Sequence, residues 1–209
     1  MNRTIKLLMI ADIFFLTGFG LVSPILAIYI KDNLIGGTIF TAGLASALFL
    51  VTKSAIQLPF SKYVDKSDDK VRLLVIGTVI ASTVPFIYIF ADNIIYVYVA
   101  EIVAGIGAGF SFPTWLGLWS TNLDKGHESY EWSLYSTLTG VGTAATAAIG
   151  AAIAEFIGFR YTFLFVGAMA LASCFILFQL ETADTKKVKK TDYKYAHEKT
   201  PTEPGLPVA

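Results

Sequence analysis

The chain has 209 residues, 55% of them apolar and only 15% charged, with a mean hydropathy of +0.62. A soluble domain carries roughly 25% charged residues, so this composition excludes an ordinary water-soluble fold. Sixteen basic and sixteen acidic residues cancel, which argues against a nucleic-acid surface, and the lone Cys174 excludes an intrachain disulfide or a cysteine metal cluster.

A helix needs about 20 residues to cross the hydrocarbon of a bilayer. Six apolar segments meet that length, at 5–30, 39–60, 71–91, 94–120, 131–157 and 160–180. They predict an all-α, polytopic membrane protein: a six-helix transmembrane domain over 1–180 and a disordered tail over 181–209. The runs are too long, and lack the two-residue alternation, for a β-barrel. The apolar stretch from Leu7 to Ile30 also exceeds a signal-peptide core and is read as the first span.

Helix 1 carries Asp12 about seven residues, or roughly 10 Å, from its start. Helix 2 runs the opposite way and carries Lys53 at a similar depth, with Gln57 one turn beyond. An ionisable group at membrane depth costs several kcal/mol unless it is paired or wetted. Asp12 and Lys53 are therefore expected to pair, either as static packing or as the lining of a polar cavity that changes partners when protons or substrate bind. Pro24 lies within the first segment and is expected to bend it.

Helix 4 places Glu101 at depth, with no basic residue in the outer half of any other helix except near the end of helix 5. Such a carboxylate suits proton coupling, binding of a cationic solute, or simple contact with a water-filled cavity. Gly105, Gly107 and Gly109 on helix 4, and Gly142, Thr146, Gly150 and Ala154 on helix 5, offer small faces for close helix approach. Gly140, Ala144, Ala148 and Ala152 form an adjacent small stripe. Pro113 is expected to bend helix 4. Glu155 and Arg160 are expected to form a terminal ion pair, and Trp115, Trp119, Trp132, Tyr96 and Tyr98 to anchor helix ends at the membrane interfaces.

With the N-terminus cytoplasmic, that side receives Arg3, Lys6, Lys62, Lys66, Lys70, Arg72, Lys125 and the tail lysines, and the other side only Lys31 and Arg160. The bias predicts both termini in the cytoplasm of a plasma-membrane protein. Lys186, Lys187, Lys189 and Lys190 open the tail, and serve as a positive flank or lie against anionic headgroups. There is no histidine pair at ligand spacing, no serine-centred glycine motif and no phosphate loop. No catalytic residue, metal or cofactor is expected.

The segment Ser61-Lys62-Tyr63-Val64-Asp65-Lys66-Ser67-Asp68-Asp69-Lys70-Val71-Arg72 joins helices 2 and 3. With Gly105, Gly107 and Pro113, the lead-in Gly158-Phe159-Arg160-Tyr161-Thr162-Phe163, and Asp12, Phe19-Gly20 and Pro24 in helix 1, it resembles the N-terminal six-helix half of a major facilitator superfamily transporter. The pattern is nearest to drug–proton exporters. Asp65, Lys66 and Lys70 match the family's loop motif, while Ser61 stands for its leading glycine and Asp68 for a later one. Glu101 replaces a customary arginine and inverts the charge there. Thr146-Ala147 and Gly150-Ala151 stand where antiporters carry Gly-Pro and two glycines.

The resemblance implies transport of a small organic solute, with Asp12, Lys53, Gln57 and Glu101 on the substrate or proton pathway. Ser61, Asp65, Lys66, Lys70 and Arg72 would form part of a cytoplasmic gate. Family members pair two six-helix halves around a central site. The second half is expected from a second copy or a partner chain, unless the sequence is truncated. The alternative is a non-transporting remnant or a membrane interaction protein.

Overall fold

The computed structural model describes the backbone of residues 1–198 and the side chains of residues 1–182. Eight helices make up the described chain: α1 (Arg3–Gly20), α2 (Leu26–Asn33), α3 (Ile39–Lys66), α4 (Lys70–Ser82), α5 (Val84–Ile89), α6 (Ile94–Asn122), α7 (Glu128–Phe156) and α8 (Phe159–Glu198). No strand occurs among the described residues; one isolated bridge, Ile35 with Asn93, stitches two loops together. The protein is an all-α membrane bundle. Five helical stretches are long and apolar enough to span a bilayer singly: Ile39–Lys66, Lys70–Ile89, Ile94–Asn122, Glu128–Phe156 and Phe159–Thr182.

Proline accounts for two departures from six unbroken helices. The first apolar segment is not one bent helix but α1 and α2, separated by a turn over 21–25. Leu21 N and Val22 N bond three residues back, to Gly18 O and Phe19 O, and Pro24 has no N–H to continue the ladder. A second break divides α4 from α5 at Thr83, just before Pro85 at the start of α5. By contrast, α6 runs on through Pro113 and α3 through Pro59. Past Leu180, α8 stays helical to Glu198, where a structureless tail was expected. Residues 181–198 contain neither glycine nor proline to stop it. The tail lysines' side chains, and residues 199–209, lie outside the described residues.

Local chemistry fixes the helix starts. The side chains of Asn2 and Asn93 accept from Ile5 N and Ile95 N, and Thr38 forms a capping box with Thr41. Gly36, at φ +78°, turns the chain from α2 into α3. At the N-terminal end of the bundle, the Met1 ammonium pairs with Asp124, and Glu131 beneath it accepts from Asp124 N at 3.2 Å. The ammonium's hydrogen bond holds the Asp124 carboxyl below its ordinary range.

Glycine sets how closely α6 approaches its neighbours. A methyl at Gly107 would stand 2.7 Å from Ala81 N on α4, and one at Gly105 or Gly109 would collide with Thr52 or Ile56 on α3. Alternate glycines thus serve opposite faces of one helix. The α7 stripe packs on α1 in the same way: a methyl at Gly142 would strike Thr17, and one at Gly150 the Leu21 backbone. The adjacent stripe is different, since Gly140 has nothing within 4 Å.

Two apolar clusters fill the bundle. One, toward the N-terminal end, gathers Ile5, Leu8, Leu74, Trp119 and Leu177; the other, toward the opposite end, gathers Tyr29, Val84, Tyr88, Val97 and Phe163. The α4–α5 stretch and α8 lie inside, with 50% and 44% of their most apolar windows buried, against 11% for α3 and 6% for α7. The outward faces of α3 and α7 are therefore available to lipid or to another set of helices.

Candidate binding cavity

Asp12 and Lys53 line one cavity of about 290 Å³, enclosed by α1, α3, α4, α6, α7 and α8. They do not pair. Asp12 instead accepts a hydrogen bond from the Tyr135 hydroxyl of α7, and the Lys53 ammonium lies 4.3 Å from the centre of the Phe112 ring on α6. Equal depth on two antiparallel helices did not translate into contact, because the rotation of each helix turns the two groups toward different neighbours. Gln57, half-buried one turn along α3, does not line this cavity.

Tyr135 is held from three sides. Its ring lies 5.0 to 6.1 Å, centre to centre, from Trp115, Trp119 and Trp132. Trp115 and Trp119 stack at 5.1 Å and are buried, with no hydrogen-bond partner for their indole N–H groups among the described residues. They are packing elements under the cavity rather than the interfacial anchors predicted from their positions near a helix end. Trp132 is more exposed and covers the outer side of the stack.

A second cavity, of about 340 Å³, contains Glu101. No cation meets this carboxylate among the described residues; it accepts from the Tyr88 hydroxyl at 2.5 Å. Tyr88 stacks on Phe163 at 4.9 Å, and Tyr29 packs edge-on to both. Phe15, Leu16, Phe49, Ala108 and Ser111 line both cavities, so the two adjoin across a shared wall. A third, shallower groove of about 800 Å³ runs between α1 and the small-residue face of α7.

The sequence motif between helices 2 and 3 closes α3 and opens α4 at the N-terminal end. Ser61 is turned back on its own helix, its hydroxyl donating to Leu58 O at 2.8 Å. Asp65, Lys66 and Arg72 are exposed, Lys70 is half-buried, and none joins an ion pair among the described residues. Glu155 and Arg160 are likewise exposed and form no ion pair with each other.

The Major Facilitator Superfamily model matches residues 8–204. This chain belongs to that superfamily. Among its curated relatives, the Quinolone resistance protein NorA of Staphylococcus aureus (strain MRSA252) is 27% identical over 187 residues, covering 90% of this chain and 47% of NorA. The Multidrug resistance protein 2 of Bacillus subtilis (strain 168) is 26% identical over 182 residues, covering 84% of this chain and 44% of the relative. The chain thus spans less than half the length of these superfamily members.

Tyr135, Tyr88 and Phe112 are the site residues that sequence reasoning missed. The available signal was depth: Tyr135 lies seven residues into α7, near the level of Asp12, and Tyr88 lies near the end of its segment while Glu101 lies near the start of the next, at the same end of the bundle.

Proposed function

We propose that this chain supplies one half of a secondary transporter for a small organic solute. Asp12 and Glu101 serve as its proton- or solute-binding carboxylates. The observation that supports this most is the gathering of Asp12, Lys53 and Glu101 along two adjoining cavities. Charges kept at membrane depth without a pathway would be an unreturned cost of several kcal/mol. Superfamily membership and the named functions of the relatives support the same reading.

A second six-helix set completes the central site, provided by another copy, a partner chain or a further stretch of the same polypeptide. The exposed faces of α3 and α7 and the groove beside α1 support an assembly of that kind. The basic residues predict a plasma-membrane orientation with the N-terminus in the cytoplasm. Asp65 and Lys66, exposed, and Lys70, half-buried, all free of ion pairs among the described residues, are then available to a gate facing the second set.

Proteoliposomes containing the whole native assembly test the proposal. An imposed proton gradient is expected to drive uptake from a panel of small organic solutes, with loss of uptake in Asp12→Asn and Glu101→Gln. Normal pH-dependent uptake in both variants would sink the assignment. No flux of any solute would instead favour a membrane interaction role.

A further inference from the structure

The cavity that holds Asp12 also holds Lys53, and that combination narrows the ligand. Both charges face neutral partners: a phenol hydroxyl for the carboxylate and an aromatic ring for the ammonium. Neither joins an ion pair among the described residues. Each is thus tethered but not neutralised. The lining is largely apolar, with aromatic rings from Phe15, Phe49, Phe112 and Trp115 beside aliphatic side chains. Thr78, Ser111 and Ser173 add only small hydroxyls.

We infer that this cavity binds an aromatic zwitterion, with the ligand's anionic group at Lys53, its ammonium at Asp12 and its ring against the phenylalanines. The inference rests on the transport reading for its biological setting, and on the cavity for its chemistry. A ligand carrying one positive charge satisfies Asp12 but meets Lys53 as a like charge. One negative charge satisfies Lys53 and opposes Asp12. Only a ligand with both compensates both residues at once, and charge-assisted hydrogen bonds are the stronger kind. A volume of about 290 Å³ limits the body to one ring or two fused rings. Tyr135 gives way or shares its acceptor when the ligand ammonium arrives, since an ionised carboxylate accepts at both oxygens.

Equilibrium dialysis of the native assembly in lipid nanodiscs, with no proton gradient, tests this. The probes are 4-(aminomethyl)benzoate, its methyl ester and 4-methylbenzoate, which are zwitterion, cation and anion at neutral pH. The zwitterion is expected to bind about tenfold more tightly than either relative. Lys53→Met should remove its advantage over the ester, Asp12→Asn its advantage over 4-methylbenzoate, and Lys53→Arg should keep both. Equal binding of the three probes, or a preference that survives Lys53→Met, would overturn the inference. Because binding is read without flux, selective binding with no transport would count against the transport reading alone. Transport with no charge selectivity would count against the zwitterion site alone.

Discussion

At the N-terminal end of the bundle, Asp12 accepts a hydroxyl from Tyr135, whose ring is packed among three tryptophans. Toward the opposite end, Glu101 accepts one from Tyr88, whose ring is packed against Phe163 and Tyr29. The two stations share a design: a carboxylate at membrane depth, a tyrosine donor, and an aromatic cluster that fixes the donor. They differ in charge, for Lys53 lines the first cavity and no basic residue lines the second. They differ also in construction. Tyr135 bridges α7 to α1, so its bond joins helices distant in sequence, whereas Tyr88 reaches Glu101 only thirteen residues away. The first station thereby ties α1 to α7. The second is tied into the packing of α5, α6 and α8.

Breaking the carboxylates gives the largest expected effect. Asp12→Asn and Glu101→Gln should each lower gradient-driven uptake by on the order of 100-fold while the protein still inserts. If only one variant lost uptake, the two stations would not act on one pathway. Next comes Tyr88→Phe, which keeps the stack on Phe163 but leaves Glu101 without its donor. It is expected to destabilise the bundle by roughly 1–3 kcal/mol, read by detergent-denaturant titration. No change would mean that water replaces the hydroxyl.

Tyr135→Phe sharpens the contrast, because Tyr135 is half-buried where Tyr88 is buried, and Lys53, Thr78, Ser111 and Ser173 line the cavity around Asp12. A stability loss of about 0.5–1.5 kcal/mol is expected in the same titration, together with faster cross-linking between cysteines placed on α1 and α7. A stability loss equal to that of Tyr88→Phe, with cross-linking unchanged, would remove the distinction between bridge and packing tie. The smallest effect belongs to Phe112→Leu. Loss of the ring beneath Lys53 should raise its rate of acylation about 2–5-fold, and an unaltered rate would show that the ring does not hold the ammonium.

The long apolar runs made the bundle legible in the sequence, since each spans a bilayer and little else explains them. Depth was legible too, because residue counting along antiparallel helices places Asp12 near Lys53 and Glu101 near the other end. Rotation was not. Whether Asp12 turns toward Lys53 or Tyr135 depends on how α1 sits against α7, and glycine contacts at Gly20, Gly142 and Gly150 set that approach. The tryptophans misled for the same reason. Trp115 and Trp119 stand near the end of α6, where interfaces favour them, but lie on one face of the helix that turns inward under α7. The break at Thr83 was carried by Pro85, which an uninterrupted apolar composition concealed. In α6, Pro113 left the helix continuous, so proline alone did not decide where helices divide.

In the proposed transporter, the two stations line one wall of a pathway closed by a second six-helix set. The most direct test is the mass and composition of the assembly extracted from native membranes into lipid nanodiscs. Twelve spanning helices are expected, from a longer polypeptide, two copies, or one copy with a second six-helix chain. A stable assembly containing only this single six-helix bundle would contradict the account.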